Sequence, residues 1–244
     1  DMLFTGLDRF IFFIDSLSFA LIRGLSITMI QMILIYVLII LLCWLTEEKR
    51  TKVIIASLPI TLSLISFSSY ETMQKAAQKK IVAYSVPKNK ALAFISGNKV
   101  LYDFDAELLQ NESSMLFHVR HHWWNCGVKE ETSVTGNSNS VRLPIGRLLS
   151  FEGKLILVVD TAVEKISNDL ENKLKVDLVV FSHNPKVYLE SLRKYADFDE
   201  VIFDSSNKPW RINYWKKDCE KMNIAYWDVT EQGAYIKDFG RALL

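Results

Sequence analysis

The sequence predicts a mixed α/β (α+β) soluble domain preceded by a transmembrane helical hairpin. Two long runs within the first 70 residues carry no charged side chain. Beyond residue 78, short apolar runs of strand length are separated by turn residues, and in the last third they alternate with amphipathic helical segments. Such alternation is typical of an open sheet with helices packed on it.

Length and charge limit the organisation of the chain. The 244 residues are enough for one globular domain and a short membrane part. We therefore expect a membrane region over residues 1–76 and a soluble domain over residues 77–244. The formal net charge is +1, which gives no overall field to attract nucleic acid, so any DNA contact must be local.

The two uncharged runs predict the membrane hairpin. Residues 25–45 and 53–70 are each long enough, as helices, to span the hydrocarbon layer of about 30 Å. The Ser and Thr content of the second run, together with Pro59, favours packing against further membrane helices. Since the chain starts abruptly at Asp1, we expect the hairpin to close a larger bundle. Flanking charges leave its orientation open.

An amphipathic segment over residues 7–22 precedes the hairpin. Its apolar residues fall on one helical face, which is typical of a helix lying on the membrane surface. The alternative is the end of another spanning helix.

The first part of the soluble domain predicts a meander, a helix and a hairpin. Strands are expected at residues 81–86, 91–95, 100–104, 147–151 and 154–159, with a helix at 106–124 and a polar loop at 129–140.

The last third predicts alternating strands and helices. The strands are expected at residues 178–181, 200–203, 224–227 and 234–236, and the helices at 185–195 and 209–222. Asn184 with Pro185, and Asn207 with Pro209, are typical helix starts, with Asn as the cap and Pro in the first turn.

The three cysteines do not predict a shared site. Cys43, Cys126 and Cys219 lack the short paired spacing of a zinc ribbon or a disulfide framework. A disulfide between Cys126 and Cys219 stays open.

The densest chemical cluster in the sequence is residues 118–124 (HVRHHWW). On a helix, His118 and His122 lie four residues apart and could bind zinc, but no nearby carboxylate completes such a motif. A basic aromatic surface for single-stranded DNA and ordinary packing are the alternatives. The candidate DNA-contact residues are Arg120, His121, Trp123 and Trp124.

A second cluster lies at residues 207–217 (NKPWRINYWKK). The candidate DNA contacts here are Trp210, Arg211, Lys216 and Lys217. A helix with buried aromatic and solvated basic residues explains the pattern equally well. Just upstream, Asp204, Ser205 and Ser206 suggest a nucleophile, but no His is near in sequence, so a turn at the strand end is favoured.

Five segments together resemble one known family. They are residues 81–86 (IVAYSV), 91–103 (ALAFISGNKVLYD), 151–160 (FEGKLILVVD), 176–183 (VDLVVFSH) and 225–234 (AYWDVTEQGA). Their order is similar to that of the C-terminal metallo-β-lactamase-like domain of ComEC-type competence proteins, in particular the shortened Bacteroidetes-type members. The resemblance implies a metallo-β-lactamase-like sandwich.

Departures from the family pattern imply a degenerate domain. Asp160 and His183 match positions of metal ligands, but residues 105–147 lack the His-x-His-x-Asp-His motif of catalytic members. A hydrolytic zinc normally needs three protein ligands and an open position. We therefore expect no catalytic residue, no metal and no cofactor, with Asp160 and His183 as vestigial ligand positions.

The resemblance also implies a function. The chain would be the C-terminal portion of a membrane channel for uptake of single-stranded DNA in natural transformation. It would lie in the bacterial inner membrane with its soluble domain in the periplasm. Its partners would be the upstream helices of the channel, the lipid bilayer, single-stranded DNA and other DNA-uptake proteins. The alternatives are a membrane-tethered metal-dependent hydrolase or nuclease, and a structural anchor.

Overall fold

A computed structural model describes residue 9 and residues 27–48, 51–135, 140–160 and 173–240. The chain divides into two compact units, Asp1–Tyr70 and Glu71–Leu244. The predicted surface helix at residues 7–22 lies outside the described residues, apart from Arg9.

Most of the described part of the first unit belongs to two helices, α1 (Met29–Glu48) and α2 (Thr51–Ala77), the second of which extends beyond Tyr70. Many of their apolar side chains are exposed, including Met29, Ile40 and Leu62. Within the described residues, no helix combines the length and apolar character that crossing a membrane requires. The predicted spans at 25–45 and 53–70 are therefore not confirmed. Helix α2 also continues past the predicted end at residue 70, through charged residues, to Ala77.

The second unit contains a five-stranded sheet in the order β13-β1-β2-β3-β4. Its strands are β1 (Lys79–Ala83), β2 (Ala91–Ser96), β3 (Lys99–Phe104), β4 (Glu130–Ser133) and β13 (Tyr235–Asp238). Strands β1, β2 and β3 form the predicted antiparallel meander, and β4 pairs parallel to β3.

The second sheet has six strands in the order β12-β11-β9-β7-β6-β5. They are β5 (Ser140–Leu143), β6 (Gly146–Phe151), β7 (Lys154–Val159), β9 (Leu178–Phe181), β11 (Glu200–Phe203) and β12 (Ala225–Asp228). Strands β7, β9, β11 and β12 run parallel. A short parallel pair, β8 (Leu174–Lys175) and β10 (Ala196–Asp197), lies apart from both sheets.

The helices of this unit fall into two groups. The first is α3 (Ala106–Gln110), α4 (Glu112–Met115), a π-helical turn (Leu116–Arg120) and α5 (His121–Asn125). The second is α6 (Leu189–Tyr195), α7 (Pro209–Met222) and α8 (Val229–Gln232).

Three cores separate four layers. Phe94 of the first sheet and Ile156 of the second share the core between the sheets. The outer face of the first sheet packs on α3 to α5, and that of the second packs on α6 and α7. Successive strand residues point to opposite faces, so Val179 and Val180 enter different cores. The order of layers is therefore helix, sheet, sheet, helix.

Several predicted boundaries are wrong for local reasons. The expected helix at 185–195 begins only at Leu189, because His183 and Asn184 adopt positive φ angles and turn the chain away first. The expected helix at 106–124 is broken into short segments by the π-helical turn. Strand β4 lies in the region predicted as a polar loop.

Asn207 is not the cap of helix α7. Lys208 holds the cap position, and the Asn207 side chain instead donates to the carbonyl of Phe181 at 2.6 Å. Cys126 and Cys219 do not form a disulfide, since they are free thiols buried in different cores.

We predict that Gly146→Ala destabilises the domain by about 3 kcal/mol. Gly146 has a φ of 150°, and a Cβ there would lie 2.0 Å from the carbonyl oxygen of Val158. The matched control is Gly153→Ala, where φ is 77° but nothing lies within 4 Å. This control should cost only about 1–2 kcal/mol for the left-handed backbone. Urea unfolding of both variants provides the measurement, and equal losses would contradict the steric argument.

Candidate functional site

Polar residues follow neighbouring parallel strands at one edge of the second sheet. Val159 of β7 and Phe203 of β11 both pair with Phe181 of β9, so the three strands end level with one another. Asp160 comes directly after β7, Ser182 and His183 after β9, and Asp204 after β11. Ligands of open α/β sheets bind at such an edge. We call the bonded group at this edge the strand-end cluster: Asp105, Ser182, His183, Asp204, Ser206 and Asn207.

Asp204 is the buried centre of the cluster. One carboxylate oxygen accepts the hydroxyl hydrogen of Ser182. The other accepts the Ser206 N–H at 3.0 Å, the Ser206 hydroxyl at 2.5 Å and the Asn207 amide at 3.1 Å. Burial raises the pKa of Asp204 to about 6, although the bonds from Ser182 and Ser206 act in the opposite direction. Protein donors therefore occupy both oxygens of this carboxyl group.

His183 is held by Asp105 rather than aimed at Asp204. Its Nε2 lies 3.0 Å from Oδ2 of Asp105, which also accepts the N–H of Lys90 at 2.7 Å. Asp105 follows β3, so this bond connects the first sheet to the carboxyl end of β9. The His183 N–H donates to the Ser206 hydroxyl oxygen at 2.7 Å, which also fixes the backbone.

The backbone at His183 and Asn184 is strained. Their φ angles are 60° and 54°, a region that costs a residue other than Gly about 1–2 kcal/mol. Two hydrogen bonds hold the turn, from the Asn184 N–H to the Asn207 side chain at 2.9 Å and from the Lys208 N–H to the Asn184 side chain at 2.6 Å. The cluster thus maintains an unfavourable conformation, as is common where side chains are positioned for a purpose.

The hydrogen bond between His183 and Asp105 favours charge on both groups. The bond and the nearby negative charge of Asp105 raise the pKa of His183 above its ordinary value, against a smaller effect of burial. Burial acts to raise the pKa of Asp105, but the hydrogen bonds from His183 and Lys90 together lower it.

A buried ion triad lies next to the cluster. Asp103 accepts from the Lys90 ammonium at 3.0 Å and from the Arg147 guanidinium at 3.1 Å, and the side chains of Asp103 and Lys90 are only 6% and 7% exposed. Asp103 belongs to β3 and Arg147 to β6, so the triad joins the two sheets. Removing one member of a buried pair leaves an uncompensated charge in the interior.

The two predicted ligand positions, Asp160 and His183, lie at the ends of adjacent strands. The Asp160 side chain is 14% exposed and lies 3.8 Å from the guanidinium of Arg142. The imidazole of His183 is bonded to Asp105. In the described part of the chain, no three His, Cys, Asp or Glu side chains gather into a metal-binding group. Ser205 is buried and Ser206 bonds to Asp204, which gives no support to a nucleophile in this run.

The four candidate DNA contacts of the first aromatic cluster have different surroundings in the structure. Trp123 is buried and stacks on Phe104 at 5.7 Å, so its ring is inaccessible and its position gives no support to the predicted contact with DNA. Arg120 pairs with Glu131. His121 is exposed and contacts the half-buried Trp124 edge-on at 5.1 Å. The suggested zinc pair with His118 is not supported either, since Nδ1 of His122 bonds the Tyr84 hydroxyl at 2.7 Å.

The second aromatic cluster lies on helix α7, and its candidate DNA contacts differ in their exposure to solvent. Trp210 is 62% exposed, and the Arg211 guanidinium lies 5.3 Å from the centre of its ring. Lys217 is also exposed. Lys216, in contrast, is mostly buried and pairs with Asp228 at 2.5 Å and Glu231 at 2.8 Å. These ion pairs give no support to the predicted contact of Lys216 with DNA, because two carboxylates of the domain already satisfy its charge.

Sequence reasoning missed Asp105 and Ser182, and it recognised Asp204 only as part of a turn. Each follows a strand directly, and that position was the available signal. The bond between Asp105 and His183 joins residues 78 positions apart, which no local pattern indicates.

Comparison with known proteins gives a match to a protein family. Residues 81–239 match the family model described as ComEC C-terminal domain. No curated protein and no solved structure matches the chain.

We predict that the free energy of unfolding of Asp204→Asn, relative to that of the parent protein, rises by about 1–2 kcal/mol between pH 5 and pH 7.5. The pKa of Asp204 is raised from 3.8 to about 6, so the folded state binds more protons between these values. Asp204 therefore stabilises the fold at low pH and loses this contribution as pH rises through about 6, whereas the Asn side chain does not titrate. Urea unfolding at pH 5 and 7.5 measures the effect.

Asp177→Asn is the control for this experiment, because its effect on the pH dependence of stability should have the opposite sign. The hydrogen bond from Lys154 lowers the pKa of Asp177, so its contribution is present at neutral pH and is lost on acidification. If the stability of Asp204→Asn relative to the parent protein were the same at pH 5 and pH 7.5, the argument from burial would be refuted.

Asp103→Ala should reduce stability by about 3–5 kcal/mol, because it leaves Lys90 buried without its carboxylate. Lys154→Ala breaks an ion pair of similar length, 2.8 Å to Asp177, whose two side chains are each 40% exposed. This control should cost no more than about 1 kcal/mol. Thermal unfolding of both variants at pH 7 tests the contrast, and similar small losses would show that the triad contributes little.

Proposed function

Because the chain belongs to the ComEC C-terminal domain family, we propose that it forms the C-terminal portion of a channel for single-stranded DNA in natural transformation. The family match over residues 81–239 is the observation that carries this proposal. It includes both sheets and the whole strand-end cluster. The family is associated with competence and DNA uptake.

The proposal includes a degenerate metallo-β-lactamase-like sandwich, as in the shortened Bacteroidetes-type members. Two observations support it. The layers follow the order helix, sheet, sheet, helix. Asp160 and His183 end adjacent parallel strands, as expected of two residues that once served the same site.

A non-catalytic role is the second part of the proposal. The imidazole of His183 bonds Asp105 at 3.0 Å, and the carboxylate of Asp204 accepts four hydrogen bonds from protein groups. A metal or a substrate would have to displace these bonds, and each lost bond to a charged group costs about 1.5–3 kcal/mol. This internal bonding favours a binding or scaffolding module over a hydrolase.

The proposed setting is the bacterial inner membrane, with the domain on the periplasmic side. The exposed apolar side chains of α1 and α2 support it, because such surfaces need an apolar covering. We propose that this covering is the remaining helices of the channel together with lipid. Among the candidate DNA contacts of the first cluster, Arg120, His121 and Trp124 stay within the proposal.

We predict that the purified full chain neither retains stoichiometric zinc or manganese nor cleaves DNA. The reason is that the groups at the strand ends are already bonded to one another. Metal content is measured after incubation with each ion and dialysis, and cleavage is measured with labelled single-stranded and duplex oligonucleotides. Asp160→Asn serves as the matched variant, because it removes a potential ligand while keeping the shape of the side chain.

The alternative, a metal-dependent nuclease, has a distinct result. It would be established by one bound metal per chain and cleavage that Asp160→Asn abolishes. In a naturally competent bacterium carrying this gene, Asp160→Asn should keep the transformation frequency, while the destabilised Gly146→Ala should lower it. Unchanged transformation with Gly146→Ala, when immunoblotting shows loss of the protein, would contradict the role in uptake.

A further inference from the structure

An aromatic groove runs between the start of α6 and the first turns of α7. Its volume is about 350 Å³, at the lower end of the range of roughly 300–1,000 Å³ typical of small-ligand sites. We call it the α6/α7 groove. Its principal lining residues are Lys186, Tyr188, Trp210, Arg211, Tyr214 and Trp215.

The floor of the groove is rigid. Trp215 is 1% exposed, stacks on Phe181 at 4.7 Å and 13°, and donates its indole N–H to the carbonyl of Val187 at 3.0 Å. Phe203 continues the same stack at 5.7 Å and 15°. The sheet core therefore fixes the helix face from which the other rings project.

The walls of the groove are exposed aromatic rings. Tyr188, Trp210 and Tyr214 are 64%, 62% and 50% exposed. Tyr188 and Tyr214 meet nearly edge to face, with ring centres 6.4 Å apart and planes at 69°. Three large rings open to solvent around one cavity give a flat apolar ligand several faces to stack against.

The charge of the groove is positive. Lys186 and Arg211 both line it, and none of the described residues lining it is acidic. The Arg211 guanidinium lies between two rings, 5.3 Å from the centre of Trp210 and 5.6 Å from that of Trp215. This position holds the guanidinium at the groove and presents a cation beside the aromatic surface.

We propose that the α6/α7 groove binds an unpaired stretch of nucleic acid, with one or two bases stacked on Trp210 and Tyr214 and the phosphates next to Arg211 and Lys186. Flat rings joined by anionic phosphates match aromatic walls with flanking cations. Duplex DNA does not fit this arrangement, because the faces of its bases are covered by their neighbours. The concave shape and small volume also favour a nucleotide over a membrane surface.

This inference rests on the proposed function, since it assigns the transported strand a place on the domain. It also corrects the set of contact residues. Tyr188, Tyr214 and Lys186 are added, while Lys216 is removed because Asp228 and Glu231 satisfy its charge.

Fluorescence anisotropy with the full chain in mild detergent tests the site. The probes are a labelled 20-nucleotide thymidine strand, an abasic strand of the same length and a matched duplex. The parent protein should bind the thymidine strand better than either other probe. Trp210→Ala should weaken binding of the thymidine strand by roughly 5- to 150-fold, as expected for the loss of one stacked base. Trp210→Phe should restore much of the affinity.

Lys186→Ala separates the ionic part from the stacking part. It should flatten the dependence of log affinity on log salt by about 0.7, the value for one phosphate contact on a single strand. Trp210→Ala should leave this slope unchanged while it lowers affinity. Both residues are exposed and make no bond that the core needs, so the variants should fold, which circular dichroism verifies.

Three results would overturn the inference. One is equal binding of the thymidine and abasic strands, which would leave only a general attraction of charge. Another is a larger loss with Trp124→Ala than with Trp210→Ala, which would place the contact on the first aromatic cluster. Binding of anionic phospholipid vesicles that depends on Trp210, without binding of DNA, would assign the groove to a membrane and also overturn it.

Binding at the α6/α7 groove and the proposed role in DNA uptake can each fail without the other. If Gly146→Ala abolishes transformation but Trp210→Ala binds the thymidine strand normally, binding at the groove is contradicted and the role in uptake is supported. If base-dependent binding at Trp210 is observed but transformation does not need the domain, binding at the groove is supported and the role in uptake is contradicted.

Discussion

Burial of strands β7, β9 and β11 on both faces determines where the polar residues of this domain can lie. The parallel strands have nearly continuous apolar sequences because one face meets the other sheet and the opposite face meets helices. No ionisable side chain within β9 could be accommodated without a partner. The first polar residues therefore occur where the strands end, and the parallel alignment brings those ends together at one edge of the sheet.

Much of this framework could be predicted from local patterns. The strands at 178–181 and 200–203 and the helix at 209–222 are confirmed, because apolar runs of strand length and a Pro at a helix start are strong local signals. The orientation of Trp123 could not be predicted. The π-helical turn at Leu116–Arg120 shifts the phase of the helix, so a regular period of 3.6 residues assigns its faces incorrectly. The Asp105 contact with His183 depends on tertiary packing alone.

The strand-end cluster illustrates how an edge suited to ligands can be closed by the protein itself. Asp204 tolerates its burial because serine and asparagine donors replace water, and His183 keeps its strained backbone because Ser206 and Asn207 hold the loop. Next to this cluster, the ion triad around Asp103 links the two sheets. These contacts use the polar groups of the edge to stabilise the fold, which is the basis for proposing that another surface binds the ligand.

The division of charge along helix α7 has a consequence for a moving strand. Lys216 is turned inward, so, if the α6/α7 groove binds the strand as proposed, its cationic and aromatic groups form one small contact point instead of a continuous track. A point that holds one or two bases contributes only about 1–3 kcal/mol for each base. Its dwell time is correspondingly short, and every nucleotide presents an equivalent ring to it. A passing polymer would therefore meet low friction, with each base replaced by the next before the contact could arrest its movement.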